Sequence, residues 1–176
     1  MITFRCTARV RKRFSLSLEE DPPPPTARLG DWYTNLLNFG NARWVLCLSE
    51  LSLLPVVVPA RNADFPSRFP EYLRRILVGI GVPAEVAHAE ANDCSEWRFG
   101  KTASRSILGS MNDFVLNFQT AFYHGLDAEA AAIDLAGMPC GPLNWRFPNE
   151  AARQLLDCAG GEHPGVRSNK GLNLTG

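Results

Sequence analysis

The segment from Lys101 to Phe114 gathers the side chains that could do chemistry. Lys101, Ser104, Arg105, Ser106, Ser110, Asn112 and Asp113 all fall within it, ahead of regularly spaced phenylalanines. Cations and hydroxyls at the entrance of a helix suit an anion, because the first turn offers unpaired backbone N–H groups and the positive end of the helix dipole. The chemistry implied is capture of a phosphate, sulfate or carboxylate. The plainer use of the same residues is capping, with Ser104 or Ser106 as N-cap and Arg105 paired with an acid, and capping is the commoner reason for such a pattern. Ser106, Ser110, Asp113 and Asn117 recur at helical spacing beside Gly109, so they form a polar stripe along the helix. If that stripe is buried, Asp113 needs a cation such as Arg105 or Arg98. Gly109 costs about 1 kcal/mol relative to Ala inside a helix, which implies that another backbone passes close to it. For catalysis, the candidates are Asp113 as general base and Arg105 beside it.

Other chemistry is thinner. Arg9, Arg11, Lys12 and Arg13 lie beside Phe14 and could touch the phosphates of a nucleic acid. The simpler reading is a solvated helix balanced by Glu19, Glu20 and Asp21 downstream, and it is preferred. His88, His124 and His163 are isolated, and no H-x-x-x-H pattern exists, so no metal site is expected. Glycine-rich nucleotide loops and a G-x-S-x-G elbow are missing, so no cofactor is expected and the reading leans away from an enzyme. Trp44, Trp97 and Trp145 could stack on a ligand, but core packing is the default for tryptophan.

The elements that must position these residues follow from periodicity. Ile2–Cys6 alternates as an opening strand. Thr7 can cap a short basic helix, Ala8–Phe14. Residues 18–27 carry Pro22, Pro23, Pro24 and Pro25 and read as an extended surface linker. Asp31 suits an N-cap, which predicts a helix from Trp32 to about Asn38 with Trp32, Leu36 and Leu37 inward, ended by Gly40-Asn41. Arg43–Ser49 and Leu53–Val58 are apolar and β-prone, joined by Glu50–Ser52 as a hairpin. Phe65–Ile80 and Ala84–Asn92 read as helices. Ser95–Thr102 alternates as a fourth, edge strand. Ser106–Tyr123 is the clearest helix, with Ile107, Met111, Phe114, Val115, Phe118 and Phe122 on one face. A helix capped by Asp127 runs through Ala136. Pro139–Pro142 forces an irregular turn, and Asn149–Cys158 is the last helix. No internal repeat is found. The fold class expected is α+β: an antiparallel sheet of about four strands with helices packed on one face.

The composition bounds the rest. The chain has 176 residues, 45% hydrophobic and 20% charged, which is ordinary for a globular domain of one core. Residues 1–158 are expected to form one domain and residues 159–176 a flexible tail. Lys plus Arg equals Asp plus Glu at 18 each, so no global field draws in a nucleic acid. The five cysteines are scattered without C-x-x-C spacing, which suits a reducing compartment. No secretory leader and no membrane-spanning run is read, so the expected location is cytoplasmic.

Ser104-Arg105-Ser106-Ile107-Leu108-Gly109-Ser110-Met111-Asn112-Asp113 resembles the hallmark of an uncharacterised family of small bacterial proteins, a domain of unknown function. The strand-first opening, the Asp31-Trp32 pair, the apolar hairpin and the Pro139–Leu143 turn resemble that family too, over roughly residues 1 to 157. Relatives in it often carry Asn where this chain has Ser104. The resemblance implies a fold unit with a special segment and no particular reaction. Gly165–Gly176 resembles read-through beyond a selected domain, as in proteins encoded on mobile gene cassettes.

The sequence therefore favours a non-enzymatic binding or interaction module centred on residues 101–113, its partner a protein or a small anionic ligand. The alternatives are a small enzyme or binding protein for a phosphate- or carboxylate-bearing molecule, and a nucleic-acid binder using Arg9–Arg13. A pocket walled by Arg105, Asp113 and Trp145 would favour a small ligand.

Overall fold

The opening strand and the edge strand meet side by side although most of the chain separates them. β1 (Ile2–Cys6) pairs in parallel with β5 (Trp97–Lys101) on one side and with β2 (Trp32–Phe39) on the other. β2 continues antiparallel to β3 (Ala42–Ser49), and β3 to β4 (Pro55–Pro59), so the sheet order is β4-β3-β2-β1-β5. The computed structural model describes residues 1–61 and 64–157. Among these, six α-helices accompany the sheet: α1 (Ala8–Phe14), α2 (Phe65–Gly79), α3 (Ala84–Asp93), α4 (Arg105–Tyr123), α5 (Ala128–Ala136) and α6 (Pro148–Leu155). The fold is α+β. The tail expected over residues 159–176 lies outside the described residues.

Three sequence expectations change. The segment after Asp31 is a strand, and the Asp31 carboxylate does not cap a helix. It accepts from Thr3 N at 2.8 Å and from Arg5 Nε at 2.9 Å on the neighbouring strand. Trp32, Tyr33 and Thr34 are strong strand formers. Their alternation is hidden because both faces of β2 are covered and four successive residues are buried. Gly40 and Asn41 then close a two-residue hairpin between Phe39 and Ala42, with Gly40 at φ 53° in the first loop position. The sheet has five strands and is mixed, not an antiparallel four, because β1 runs parallel to both neighbours.

Helices also cover both faces, not one. Phe4 and Trp32 are register partners and share a face. On it, Phe4 meets Phe65 and Phe69 of α2 at 5.3 and 5.2 Å, and Trp32 meets Phe69 at 4.7 Å. Phe39 and Trp44 point the other way, since alternate residues of a strand face opposite sides. They meet Phe122 of α4 at 5.2 and 6.4 Å. A single buried cluster runs through both layers.

Cys6 and Cys47 are each in register with Thr34, from opposite sides. They stand two strand spacings apart, about 9.5 Å, beyond the ~7 Å reach of a disulfide. Burial pushes the Cys6 thiol up to about 11, against a smaller pull from the Thr34 hydroxyl, and raises Cys47 and Cys94 as well. Reactivity requires the thiolate. Iodoacetamide at about pH 7.5 should therefore leave Cys6, Cys47 and Cys94 unlabelled in the folded protein and label all three after denaturation, as read by peptide mass spectrometry. Labelling of native Cys6 would contradict the closed core.

Candidate functional site

α4 begins where the sequence suggests and for a local reason. Ser104 is its N-cap, accepting from Ile107 N at 3.3 Å. The Ser104 amide donates to the Tyr33 hydroxyl at 3.1 Å, which ties the helix start to β2. Ile107, Met111, Phe114, Phe118 and Phe122 turn inward, so the serine-rich face is left for other use.

That face lines a cleft of about 520 Å³. One wall is Ser106, Gly109, Ser110, Asp113 and Asn117 of α4. The other is the segment from Met138 to Trp145. This second wall is a tight loop: Cys140 and Arg146 form a bridge, and Leu143 N and Trp145 N both donate to the Cys140 carbonyl, at 3.1 and 3.0 Å. Asn144 and Trp145 stand in succession at φ 54° and 63°, in the left-handed region. For a side chain as large as tryptophan that backbone costs of order 1–3 kcal/mol. The indole it holds up is 74% exposed.

Two polar groups of the cleft, Ser110 and Cys140, have a defined state. Ser110 Oγ donates back to the Ser106 carbonyl at 3.3 Å. The Cys140 thiol is raised, first by burial and then by the Asp113 carboxylate nearby. Asp113 is exposed and has no ion pair among the described residues. Among the described residues, it is the one charged side chain on the cleft wall. Gly109 is open: a Cβ added there would meet nothing within 4 Å. Among the described residues, the close backbone expected beside it is not found.

The residues singled out from the sequence divide. Ser106, Ser110 and Asp113 come together in the cleft, and Ser104 serves as the cap. Arg105 and Asn112 are exposed and do not line the cleft. Arg105 and Asp113 thus do not wall it together, as a helix rotates them apart. Lys101 sits on β5 and lines a different groove, with Arg11 and Lys12 of α1. Arg98 pairs with Glu19 at 3.0 Å, and Lys101 with Glu20 at 3.7 Å. The acids expected to balance α1 therefore serve β5. Trp44 is half-buried against Phe122, Trp97 is partly exposed, and Trp145 departs from the core altogether.

Sequence reasoning named Trp145 as a possible pocket wall and residues 139–142 as an irregular turn, but did not join them into one wall facing α4. Its signal was present in Pro139, Gly141 and Pro142 around Cys140, which mark an irregular turn without saying what it faces. Among the described residues, no cluster of His, Cys, Asp and Glu could hold a metal ion, and no helix is long and apolar enough to cross a membrane.

No curated protein and no solved structure matches the chain. A family model described as Domain of unknown function (DUF6933) matches residues 3–151, a span that includes both walls of the cleft, and the chain belongs to that family.

Proposed function

We propose that this chain is a non-enzymatic, cytoplasmic binding module, one domain over residues 1–158, whose site is the cleft between α4 and the Met138–Trp145 loop. Its ligand is a small molecule carrying a positively charged nitrogen. The observation that carries this reading is Trp145: an exposed indole held on left-handed backbone, opposite a polar helix face. Strain of that kind persists where surrounding structure enforces it, and it concentrates at ligand sites. An indole face attracts a cation, and the Asp113 carboxylate supplies the matching charge. Ser106, Ser110 and Asn117 add hydrogen-bonding groups. A phosphate or carboxylate ligand, the alternative drawn from Lys101 and Arg105, finds neither cation on this wall. The engaged Ser110 hydroxyl and the raised Cys140 thiol favour binding over catalysis. The buried, high-pKa cysteines suit a reducing location.

Gly109 separates binding from stability. It weakens the helix, yet no neighbouring atom requires its smallness. Gly109→Ala should stabilise the fold by about 0.5–1 kcal/mol, a rise of roughly 1–4 °C in Tm, while placing a methyl group on the cleft wall and weakening the ligand. The binding assay follows Trp145 fluorescence during titration with choline and agmatine. The expected result is saturable quenching that Asp113→Asn weakens about tenfold, the loss of one charged contact. Trp145→Ala should abolish the signal at unchanged Tm. Absence of a saturable response to either amine at millimolar concentration would overturn the reading.

A further inference from the structure

A second recess, about 800 Å³ in volume, opens between α1 and the end of β5. Ala8, Arg11 and Lys12 line it, and their spacing of three and four residues puts them on one face of the helix, with the C-cap Ser15 beside them. Val10 and Phe14 turn instead to the core. Lys101 and Thr102 complete the rim from the other side, over an apolar floor that includes Leu16 and Leu18.

The cations of this rim are at most weakly compensated. Arg11 and Lys12 have no ion pair among the described residues. Lys101 has one, with Glu20 at 3.7 Å, between side chains that are 65% and 90% exposed. Water and salt screen such a contact, so it yields readily to a stronger anion. Basic residues in the last turn of α1 complement its dipole. The dipole does not account for Lys101, which a separate strand brings to the same opening.

We propose that this groove binds the phosphate of a small phosphorylated molecule, independently of the cleft beside Trp145. Arg11 forks onto two phosphate oxygens, as guanidinium geometry allows, and Lys12 and Lys101 act as point charges. Ser15 and Thr102 hydroxyls donate at the rim. The floor accepts the apolar body of the ligand, and the volume suits a nucleotide-sized molecule. Among the described residues no aromatic side chain lines the groove, so these offer no platform for successive stacked bases. A formal net charge of +0 gives no long-range field for a polyanion either. Both facts favour a small ligand over a nucleic acid.

Isothermal titration with inorganic pyrophosphate at about 0.15 M salt tests this. The expected result is saturable binding to the wild type. The double variant Arg11→Glu, Lys12→Glu should bind about tenfold more weakly or worse, as lost charge-assisted contacts require. Lys101→Gln, on an exposed edge strand, keeps the fold intact and should weaken binding by a smaller factor. Asp113→Asn and Trp145→Ala should leave pyrophosphate binding unchanged, which separates this site from the cleft. Equal affinity in wild type and Lys101→Gln, or no binding of pyrophosphate at all, overturns the proposal. So does binding of a short oligothymidylate that pyrophosphate cannot displace, which would assign the groove to nucleic acid.

Discussion

Phe118→Ala should lower the unfolding free energy by about 3–5 kcal/mol, the cost of truncating a large core aromatic. Phe118 is fully buried on α4, and its ring lies 5.9 Å from that of Phe122, which in turn meets Phe39 and Trp44 of the sheet. The variant removes the fully buried ring at one end of this chain of contacts and leaves a void that the close-packed surroundings do not fill. Urea denaturation should show a lower midpoint with an unchanged slope, because the surface exposed on unfolding hardly alters. The consequence extends to the cleft, since α4 carries one whole wall of it. A loss under about 1 kcal/mol would mean that the phenylalanine face does not anchor the helix.

Arg5→Met is the second large effect. Asp31 keeps only 1% of its side-chain surface in water, and Arg5 holds it through Nη2 at 2.8 Å and Nε at 2.9 Å. Removing one partner of a buried pair strands the other charge, which costs about 3–5 kcal/mol. The Arg5 side chain is 21% exposed, so the expected loss lies at the low end, about 3 kcal/mol. Adding Asp31→Asn should restore part of it. The amide oxygen still accepts from Thr3 N, and no charge is left without a partner. Chemical denaturation of the two single variants and the double variant gives the coupling directly. A loss for Arg5→Met under about 1 kcal/mol, typical of an exposed pair, would show that water reaches the carboxylate.

The same pair explains the main misreading of the sequence. Asp31 before an apolar stretch has the form of a helix start, and only the distant Thr3 and Arg5 reveal that its carboxylate is already used. Segments with one covered face were legible from period alone. Phe65–Gly79 and Arg105–Tyr123 match the expected helices to within a residue, and Trp97–Lys101 falls inside the expected edge strand. β2 was not legible, because burial on both sides erases alternation. The parallel pairing of β1 was hidden for a related reason: strand direction depends on long-range partners, not on local pattern. The α4 wall could be read from the spacing of Ser106, Ser110 and Asp113. The separation of Lys101 and Arg105 from it could not, since it rests on helix rotation and on where β5 ends. The left-handed backbone under Trp145 has no signature in residue type at all.

The position of β1 has a temporal consequence. The hairpins of β2, β3 and β4 join neighbours in the chain and can assemble as soon as they are made. β1 is inserted between β2 and β5, so it waits for a strand made much later before both its edges are satisfied. Closing so large a loop is entropically slow, and chains with distant pairings assemble late and slowly. During synthesis β1 therefore carries an unpaired edge until β5 emerges, and charged Arg5 within the strand guards that edge against premature association.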